Sequence, residues 1–349
     1  MKGKNDIQLL IDAISAPAVV IDGGRMLAAN ELGREMFPGE ENLPQDIDLE
    51  DDESVQTEMV DGRAYAVTVK KLSRGHLAVF RDVEQGTAGR FLPVADAMSE
   101  PVNSLIMAAE TLAEAVKDGS EELKRSTARI MKSQYILVRL MRGIKDTAEL
   151  EQGEACLNLT NVILDELCGE ICRECGELCG KYGVEIVFKN DSKGIVTALD
   201  EDKIRHMLLN LISNSVRACE GGGTVKVTAD SDENNAYITV EDDGCGMSDD
   251  VFATAFTRFN DKFGAIPESE RGMGMGLYYV SRAVQLHGGR VAISRGDERG
   301  TKVSVSIPLR RKLIFRSPAA KYARYPGFSQ TMMELSGVLP YGAFMPEES

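Results

Sequence analysis

The spacing of apolar residues changes along the chain, and residues 90–150 follow a helical period. In the first half of this segment apolar positions step by three or four residues, and in the second half they step mainly by seven. The turn between the halves ends in Ser120, a suitable helix N-cap. The pattern predicts two long amphipathic helices joined as a hairpin. The first stripe contains Val94, Met98, Val102, Leu105, Ala109, Leu112 and Val116, and the second contains Leu123, Ile130, Leu137, Met141, Ile144 and Ala148.

Two helices alone cannot enclose these apolar stripes. A second copy of the hairpin, completing a four-helix bundle, is the natural arrangement. We therefore predict a homodimer formed through the helical hairpin at residues 89–152. Packing of the stripes within the same chain is the alternative that the pattern leaves open.

A period of two residues, typical of strands, appears on both sides of the hairpin. Residues 1–88 carry short strand-like runs and predict a small α+β module. In residues 153–310 predicted helices, at about 161–179, 202–219 and 276–287, are interspersed with alternating strands, which predicts a sheet with one face buried under helices. Residues 311–349 contain basic residues followed by aromatics among Pro and Gly, and we predict a flexible docking tail. The fold class is multidomain α+β.

The excess of acidic residues is concentrated in one part of the chain. The 349-residue chain has 55 acidic and 40 basic residues, a net charge of −15, which argues against nucleic acid as a partner. Eleven acids and no Lys or Arg lie between Glu35 and Asp61, so most of the excess belongs to the N-terminal module.

The length of the apolar runs and the number of cysteines indicate the cellular compartment. No run approaches the roughly 20 apolar residues that cross a bilayer, and the N-terminus has acids within its apolar part, so we expect a cytoplasmic protein without a transmembrane segment. Seven cysteines fit reduced thiols better than a disulfide framework. Four of them form a helical stripe that predicts core packing, with a metal or redox site as the alternative: Cys168, Cys172, Cys175 and Cys179.

Three polar motifs carry the candidate chemistry. His206, Asn210, Asn214 and Arg217 share one face of a predicted helix, and amide oxygens suit a hard cation such as Mg²⁺. Asp242 ends a strand and leads into Gly244 and Gly246, a place where a carboxylate can accept a hydrogen bond from an exocyclic amine. Glycines that open a helix can cradle phosphate, because backbone N–H groups point at the anion; here they are Gly272, Gly274 and Gly276.

The order of these motifs, with Phe256 and Phe259 between the glycine clusters and Thr301 before the last strand, resembles the ATP-binding domain shared by histidine kinases, DNA gyrase, mismatch-repair ATPases and the ninety-kilodalton heat-shock chaperone. The resemblance implies a two-layer α/β sandwich that binds ATP and Mg²⁺. It implies that Asp242 binds the adenine amine, that Asn210 holds the metal, and that the two phenylalanines belong to a lid. The implied nucleotide-binding residues are Asn210, Asn214, Arg217, Asp242, Gly244, Gly246, Phe256, Phe259, Gly272, Gly274, Gly276, Leu277 and Thr301.

His206 occupies the position where ATP-hydrolysing members of that superfamily carry a glutamate as general base, and histidine is common there in histidine kinases. The resemblance therefore favours a kinase over an efficient ATPase and makes His206 a candidate catalytic residue. A satisfied residue on the helix surface is the alternative.

The hairpin also resembles the dimerisation hairpin of histidine kinases, in which the phospho-accepting histidine precedes a proline by five residues. Pro101 matches that proline, but Asp96 stands at the acceptor position. None of the three histidines, His76, His206 and His287, lies in the hairpin. Asp96 is therefore either a phospho-acceptor, since a carboxylate can form an acyl phosphate, or an ordinary polar residue of the bundle.

Residues 1–88 resemble a PAS sensor domain through Ala18–Asn30 and a closing strand that ends near Val83, although the acidic middle departs from that pattern. The combined expectation is a signalling protein of the sensor histidine kinase type, with a response-regulator receiver domain or a partner kinase as protein partner. Two classes remain open: an enzyme that transfers the γ-phosphoryl group of ATP, and a non-catalytic ATP-dependent scaffold.

Overall fold

The computed structural model describes most of the chain, in these residues: 8, 11–39, 43–44, 47, 49, 52–60, 63–82, 88–151, 157–219, 221–252, 255–256, 276–296, 299–310 and 329–345. No helix among these residues is both long enough and apolar enough to cross a membrane.

The N-terminal module contains a five-stranded antiparallel sheet and a short helix that follows its second strand. Asn30 organises its first turn, because its side chain accepts hydrogen bonds from the backbone N–H groups of Ala18 and Gly33 and so caps the helix. Phe37 and Phe80 meet in the module's apolar core with ring centroids 4.9 Å apart. The elements are β1 Ala18–Asp22, β2 Arg25–Ala29, α1 Glu31–Met36, β3 Glu53–Val60, β4 Arg63–Lys71 and β5 His76–Asp82.

The predicted helical hairpin is present as α2, Ala88–Ala115, and α3, Glu121–Glu151. The predicted apolar stripe of α2 is divided between two environments. Val102, Ala109 and Val116 are buried, whereas Leu105 remains 55% exposed. The hairpin therefore buries only part of its apolar surface within one chain. The large apolar residues left exposed on it are Val94, Met98, Leu105, Met107, Leu112, Leu123 and Ile130.

The third region is an α/β sandwich. The side chains of β12 alternate so that Val303, Val305 and Ile307 are buried beneath the helices. The cysteine stripe packs into the same core, as predicted, and burial raises the pKa of the Cys172 thiol to about 12. The elements are β6 Thr160–Ile163, α4 Leu164–Cys179, β7 Val184–Asn190, β8 Val196–Leu199, α5 Glu201–Ala218, β9 Gly223–Ser231, β10 Asn235–Asp242, α6 Asp249–Phe252, α7 Gly276–Leu286, β11 Arg290–Arg295 and β12 Thr301–Pro308.

An edge-to-edge contact joins the N-terminal module to the sandwich. Strand β3 pairs antiparallel with β11, with Val55 opposite Ile293, so ten of the described strands form one sheet in the order β2-β1-β5-β4-β3-β11-β12-β10-β9-β7. Arg295 and Glu53 form an ion pair of 3.4 Å beside this junction. Pairing the two edges satisfies backbone groups that either sheet alone would leave open.

The end of the chain differs from our expectation of a flexible tail. Residues 329–345 contain helix α8, Gln330–Leu335, and a 3₁₀ turn, Tyr341–Phe344. Ser329 caps α8, and Leu335, Leu339 and Phe344 are buried against the sandwich. The composition suggested disorder, but the burial of these apolar side chains holds the segment against the sandwich.

Candidate functional site

Asp242, at the end of β10, is buried and held by three donors. Its Oδ2 accepts a hydrogen bond from the Ser215 hydroxyl at 3.1 Å, and its Oδ1 accepts from the backbone N–H groups of Gly244 and Thr301 at 3.1 and 3.3 Å. Burial raises the pKa of Asp242 above its ordinary value, and these hydrogen bonds offset part of that rise. The carboxylate is thereby fixed in orientation, with acceptor capacity remaining for a ligand.

Glycines allow the backbone to close tightly around Asp242. A Cβ at Gly244 would collide with the carbonyl oxygen of Ala218, and one at Gly300 would collide with the carbonyl oxygen of Asp242. Gly300 also has a φ of +83°, which favours glycine. Gly246, with φ of +71°, turns the chain away from the strand. These close backbone contacts and positive φ angles require glycine.

Asn210 and Asn214 on α5 both face the beginning of α7. The Nδ2 group of Asn210 donates to the carbonyl oxygen of His206 at 3.0 Å, which points its Oδ1 towards Gly276. A Cβ at Gly276 would lie 2.9 Å from this oxygen and 3.8 Å from Nδ2 of Asn214. The structure therefore unites two of the predicted motifs, and Asn210 presents the kind of amide oxygen that suits Mg²⁺.

Ser215 links this pair to Asp242, because it lies next to Asn214 on α5. The site is therefore one edge formed by α5, the end of β10 and the start of α7. Sequence reasoning missed Ser215; its position directly after Asn214 on the same helix was the available signal.

The remaining predicted residues divide into three groups. Leu277 and Phe256 are buried in the apolar core of the sandwich. Arg217 lies against Gly337 in the C-terminal segment, with Nη2 3.3 Å from where a Cβ of Gly337 would be. Three predicted residues lie outside the described part of the chain: Phe259, Gly272 and Gly274.

His206 is buried in a ring of charges, a position that differs from that expected of a catalytic residue open to nucleotide. Its Nδ1 lies 3.0 Å from Oδ2 of Asp146 on α3, and its Nε2 lies 3.1 Å from Oε1 of Glu334 on α8. Arg142 closes the ring at 3.1 Å from Asp146 and 3.8 Å from Glu334. We call Arg142, Asp146, His206 and Glu334 the charge ring.

Opposing effects act on the titration of the charge ring. Burial and the charge of Arg142 lower the pKa of His206, but the two carboxylates outweigh them and the net pKa lies above its ordinary value. Burial raises the pKa of Glu334, whereas His206 and the guanidinium groups of Arg139 and Arg142 hold it well below its usual range. Both shifts favour the charged forms of His206 and Glu334, which is the direction expected when opposite charges lie side by side in a buried site.

Asp96 lies on the exposed side of α2, with 62% of its side chain accessible. The Nζ atom of Lys145 is 2.8 Å from its Oδ1 and also donates to the Ser99 hydroxyl. Its accessibility makes Asp96 available to a reacting group, and Lys145 pairs with it.

Within the described residues, no cluster of three or more His, Cys, Asp or Glu side chains could hold a metal ion. That finding does not bear on a metal held by amide oxygens and by a ligand's phosphates, which is the arrangement that Asn210 fits.

Part of the chain is similar to a family of ATP-binding domains, and that part contains the site described above. Residues 199–311 match the family described as Histidine kinase-, DNA gyrase B-, and HSP90-like ATPase. We call residues 199–311 the ATPase region. It contains α5, Asp242, Gly276 and Thr301, and its α+β sandwich is of the type that this family shares.

Curated relatives of the chain are histidine kinases and sensor proteins. Hybrid signal transduction histidine kinase D of Dictyostelium discoideum is 28% identical over 179 residues, which are 50% of this chain and 12% of that protein. Sensor protein SrrB of Staphylococcus aureus is 22% identical over 242 residues, which are 69% of this chain and 40% of SrrB. The chain therefore spans well under half the length of these two relatives.

A solved structure shares the fold. The crystal structure of full-length ShkA in complex with AMPPNP matches 67% of this chain and 48% of ShkA, with a TM-score of 0.53 and 22% sequence identity. This likeness extends beyond the ATPase region, which is only part of the chain.

Proposed function

We propose that this chain is an ATP-binding signal-transduction protein of the sensor histidine kinase type that acts in a two-component phosphorelay. The observation that carries the proposal is the single edge on which Asp242, Asn210 and Gly276 converge. The ordered Asp242 carboxylate suits the exocyclic amine of adenine, and Asn210 with Asn214 suits a magnesium-bound phosphate group. When bound, Mg²⁺ would neutralise phosphate charge.

The acceptor of the phosphoryl group is the residue that departs from the kinase pattern. Asp96 stands at the acceptor position, is exposed, and pairs with Lys145. Transfer to it would break the bond between the γ-phosphorus and ADP and form an acyl phosphate on one carboxylate oxygen. We propose that autophosphorylation on histidine is lost and that Asp96 accepts the group weakly or not at all.

The flanking segments support a signalling role. The exposed apolar residues of the hairpin, such as Leu105 and Ile130, suit a homodimeric four-helix bundle, in which a second hairpin would cover them. The N-terminal module, with Asn30 at its opening turn, suits a PAS-like sensor. A receiver domain is the expected protein partner, in the cytoplasm.

Purified chain incubated with γ-labelled ATP and Mg²⁺ tests the proposal. We expect ATP binding and no acid-labile, base-stable label, because the hairpin carries no histidine. A base-labile label that Asp96→Asn removes would identify Asp96 as acceptor. An acid-labile, base-stable label on the wild-type chain would contradict the proposed loss of histidine phosphorylation.

Asp96→His tests whether only the acceptor is missing. The variant loses the ion pair to Lys145 but keeps an exposed helical position, so folding should be unaffected. We expect a gain of acid-labile, base-stable label. The same substitution at exposed Glu100, one turn further along α2, is the matched control and should gain none.

A further inference from the structure

The C-terminal strap, which we define as residues 329–345, packs against the apolar cores of both the hairpin and the sandwich, two cores that also meet directly through Tyr135 of α3. Met333 packs into the core of the hairpin, with Val102, Ile106, Val138 and Met141. Leu335, Leu339 and Phe344 belong to the core of the sandwich. The ring of Phe344 also meets that of Tyr135 on α3, at 5.3 Å between centroids. One short segment thus anchors in both regions at once.

Polar contacts of the strap reinforce this bridge. Glu334 is 1% exposed and completes the charge ring, touching His206 of α5 and Arg142 of α3. Its Oε2 also accepts a hydrogen bond from Nε of Arg139 at 3.1 Å. Without Glu334, Arg139 would lose this carboxylate, and the ring would hold Arg142 and His206 against Asp146 alone. The strap therefore supplies a charge that the interface between α3 and α5 requires.

The strap also touches the helix that carries the candidate nucleotide residues. The hydroxyl of Ser213, which lies between Asn210 and Asn214 in sequence, donates to the backbone carbonyl of Glu334 at 2.9 Å. Thr331 hydrogen-bonds Glu174 on α4. The strap in this position therefore holds α5 on the helix face opposite to the one that packs against the sheet.

We propose that the C-terminal strap is an autoinhibitory lock, which holds the ATPase region in one orientation on hairpin helix α3 and must open before that region can move. The proposal rests on the proposed function, because transfer between nucleotide and a hairpin residue requires the two to approach and separate. A buried charge ring suits a two-state lock, since opening it partway leaves a charge unpaired in a dry interface.

Hydrogen exchange of the full-length chain measures how often the strap detaches from the hairpin and the sandwich. Glu334→Gln removes the charge, Met333→Ala removes the hairpin anchor while keeping the charge, and Glu122→Gln, exposed on α3, is the matched control. We expect backbone amides of 331–339 to exchange at least about 100-fold faster in Glu334→Gln and at least about tenfold faster in Met333→Ala. Amides of β9 and β10 should keep their wild-type rates, as should all amides of the control.

Two further readouts separate a lock from a structural brace. Release should raise the rate of label transfer from γ-labelled ATP, in an Asp96→His background, by at least about fivefold, and should increase the radius of gyration in X-ray scattering. Where label transfer is detected, faster exchange without a faster transfer rate overturns autoinhibition. Unchanged exchange in both strap variants overturns the claim that Glu334 and Met333 hold the strap in place.

Absence of label from every protein, the Asp96→His background included, contradicts the part of the proposed function that says only the acceptor is missing, but it does not contradict the lock. The scattering measurement then decides alone: a larger radius of gyration in Glu334→Gln supports the lock, and an unchanged radius overturns it. Faster exchange throughout the sandwich in both variants would also overturn it, because that result reports global unfolding.

Discussion

Helix α5 contributes to two polar regions that are constructed differently. At the edge formed by α5, the end of β10 and the start of α7, which is the candidate nucleotide edge, backbone and hydroxyl donors orient Asp242, and the oxygen of Asn210 faces Gly276. In the charge ring, one turn earlier, His206 lies between carboxylates from α3 and α8. The first region keeps acceptors available for a ligand, whereas the second is completed by the chain itself. Residues of similar polarity on one helix can therefore have opposite roles, decided by what the rest of the fold brings to them.

Arg142→Leu should produce the largest change in stability. It removes from a buried site the guanidinium that pairs with both Asp146 and Glu334, so we expect the free energy of unfolding to fall by about 3–4 kcal/mol. Urea denaturation followed by circular dichroism measures this. Arg125→Leu, on an exposed position of the same helix, should change it by less than about 0.5 kcal/mol. Equal losses in the two variants would refute the importance of the ring.

Gly276→Ala changes the candidate nucleotide edge and not the charge ring, and we expect it to leave the stability of the fold unchanged or to raise it. The added Cβ would lie 2.9 Å from Oδ1 of Asn210 and displace that oxygen. We expect magnesium-dependent nucleotide affinity to fall about tenfold, while alanine in the first turn of α7 leaves the fold as stable as before or stabilises it by up to about 1 kcal/mol. Calorimetric titration with and without Mg²⁺ checks the first effect and thermal unfolding the second. A fall in stability with unchanged affinity would contradict the assignment.

The pH dependence of the charge ring should be a smaller effect. The pKa of Glu334 is lowered from 4.5, so its contribution is present above that value and is lost as pH falls. The pKa of His206 is raised from 6.5, because the carboxylates of Glu334 and Asp146 outweigh burial and the repulsion of Arg142. Its contribution is therefore present below pH 6.5 and is lost as pH rises through the folded-state pKa.

Comparison with His206→Gln isolates that contribution. The difference in unfolding free energy between wild type and His206→Gln should be larger at about pH 6 than at about pH 9. A difference that grows with pH would mean that His206 is neutral in the folded protein.

The nucleotide edge was predictable from sequence because its signals are local. Asn210 and Asn214 share a helix face, and Asp242 comes directly before the glycines that its backbone requires. The charge ring was not predictable in this way. Its members Arg142 and Glu334 lie in distant parts of the sequence, and nothing in either neighbourhood indicates that they meet. His206 was correctly placed on the polar face of α5, but its partners come from α3 and α8.

The fold was likewise predictable where its signals are local in sequence, and it was not predictable where distant segments meet. Periodicity predicted both hairpin helices and most strands of the sandwich to within a few residues. It missed β6 and β8, which are four residues each and too short for alternation to be visible. It also missed the pairing of β3 with β11, because edge-to-edge contact depends on which strands lie outermost. The strap was misjudged because Pro and Gly indicated disorder, whereas Leu335, Leu339 and Phe344 are buried.

Calorimetric titration of magnesium–ATP into three proteins tests the central claim most directly: the wild-type chain, Asp242→Asn, and the control Asp230→Asn at an exposed position of β9. The amide introduced by Asp242→Asn would keep an acceptor for the N–H groups of Gly244 and Thr301 but turn a donor towards an adenine amine. We predict saturable binding by wild type and control, and an affinity about 100-fold weaker in Asp242→Asn, corresponding to about 2.7 kcal/mol. Equal affinities in all three proteins would contradict the assignment of this edge as the nucleotide site.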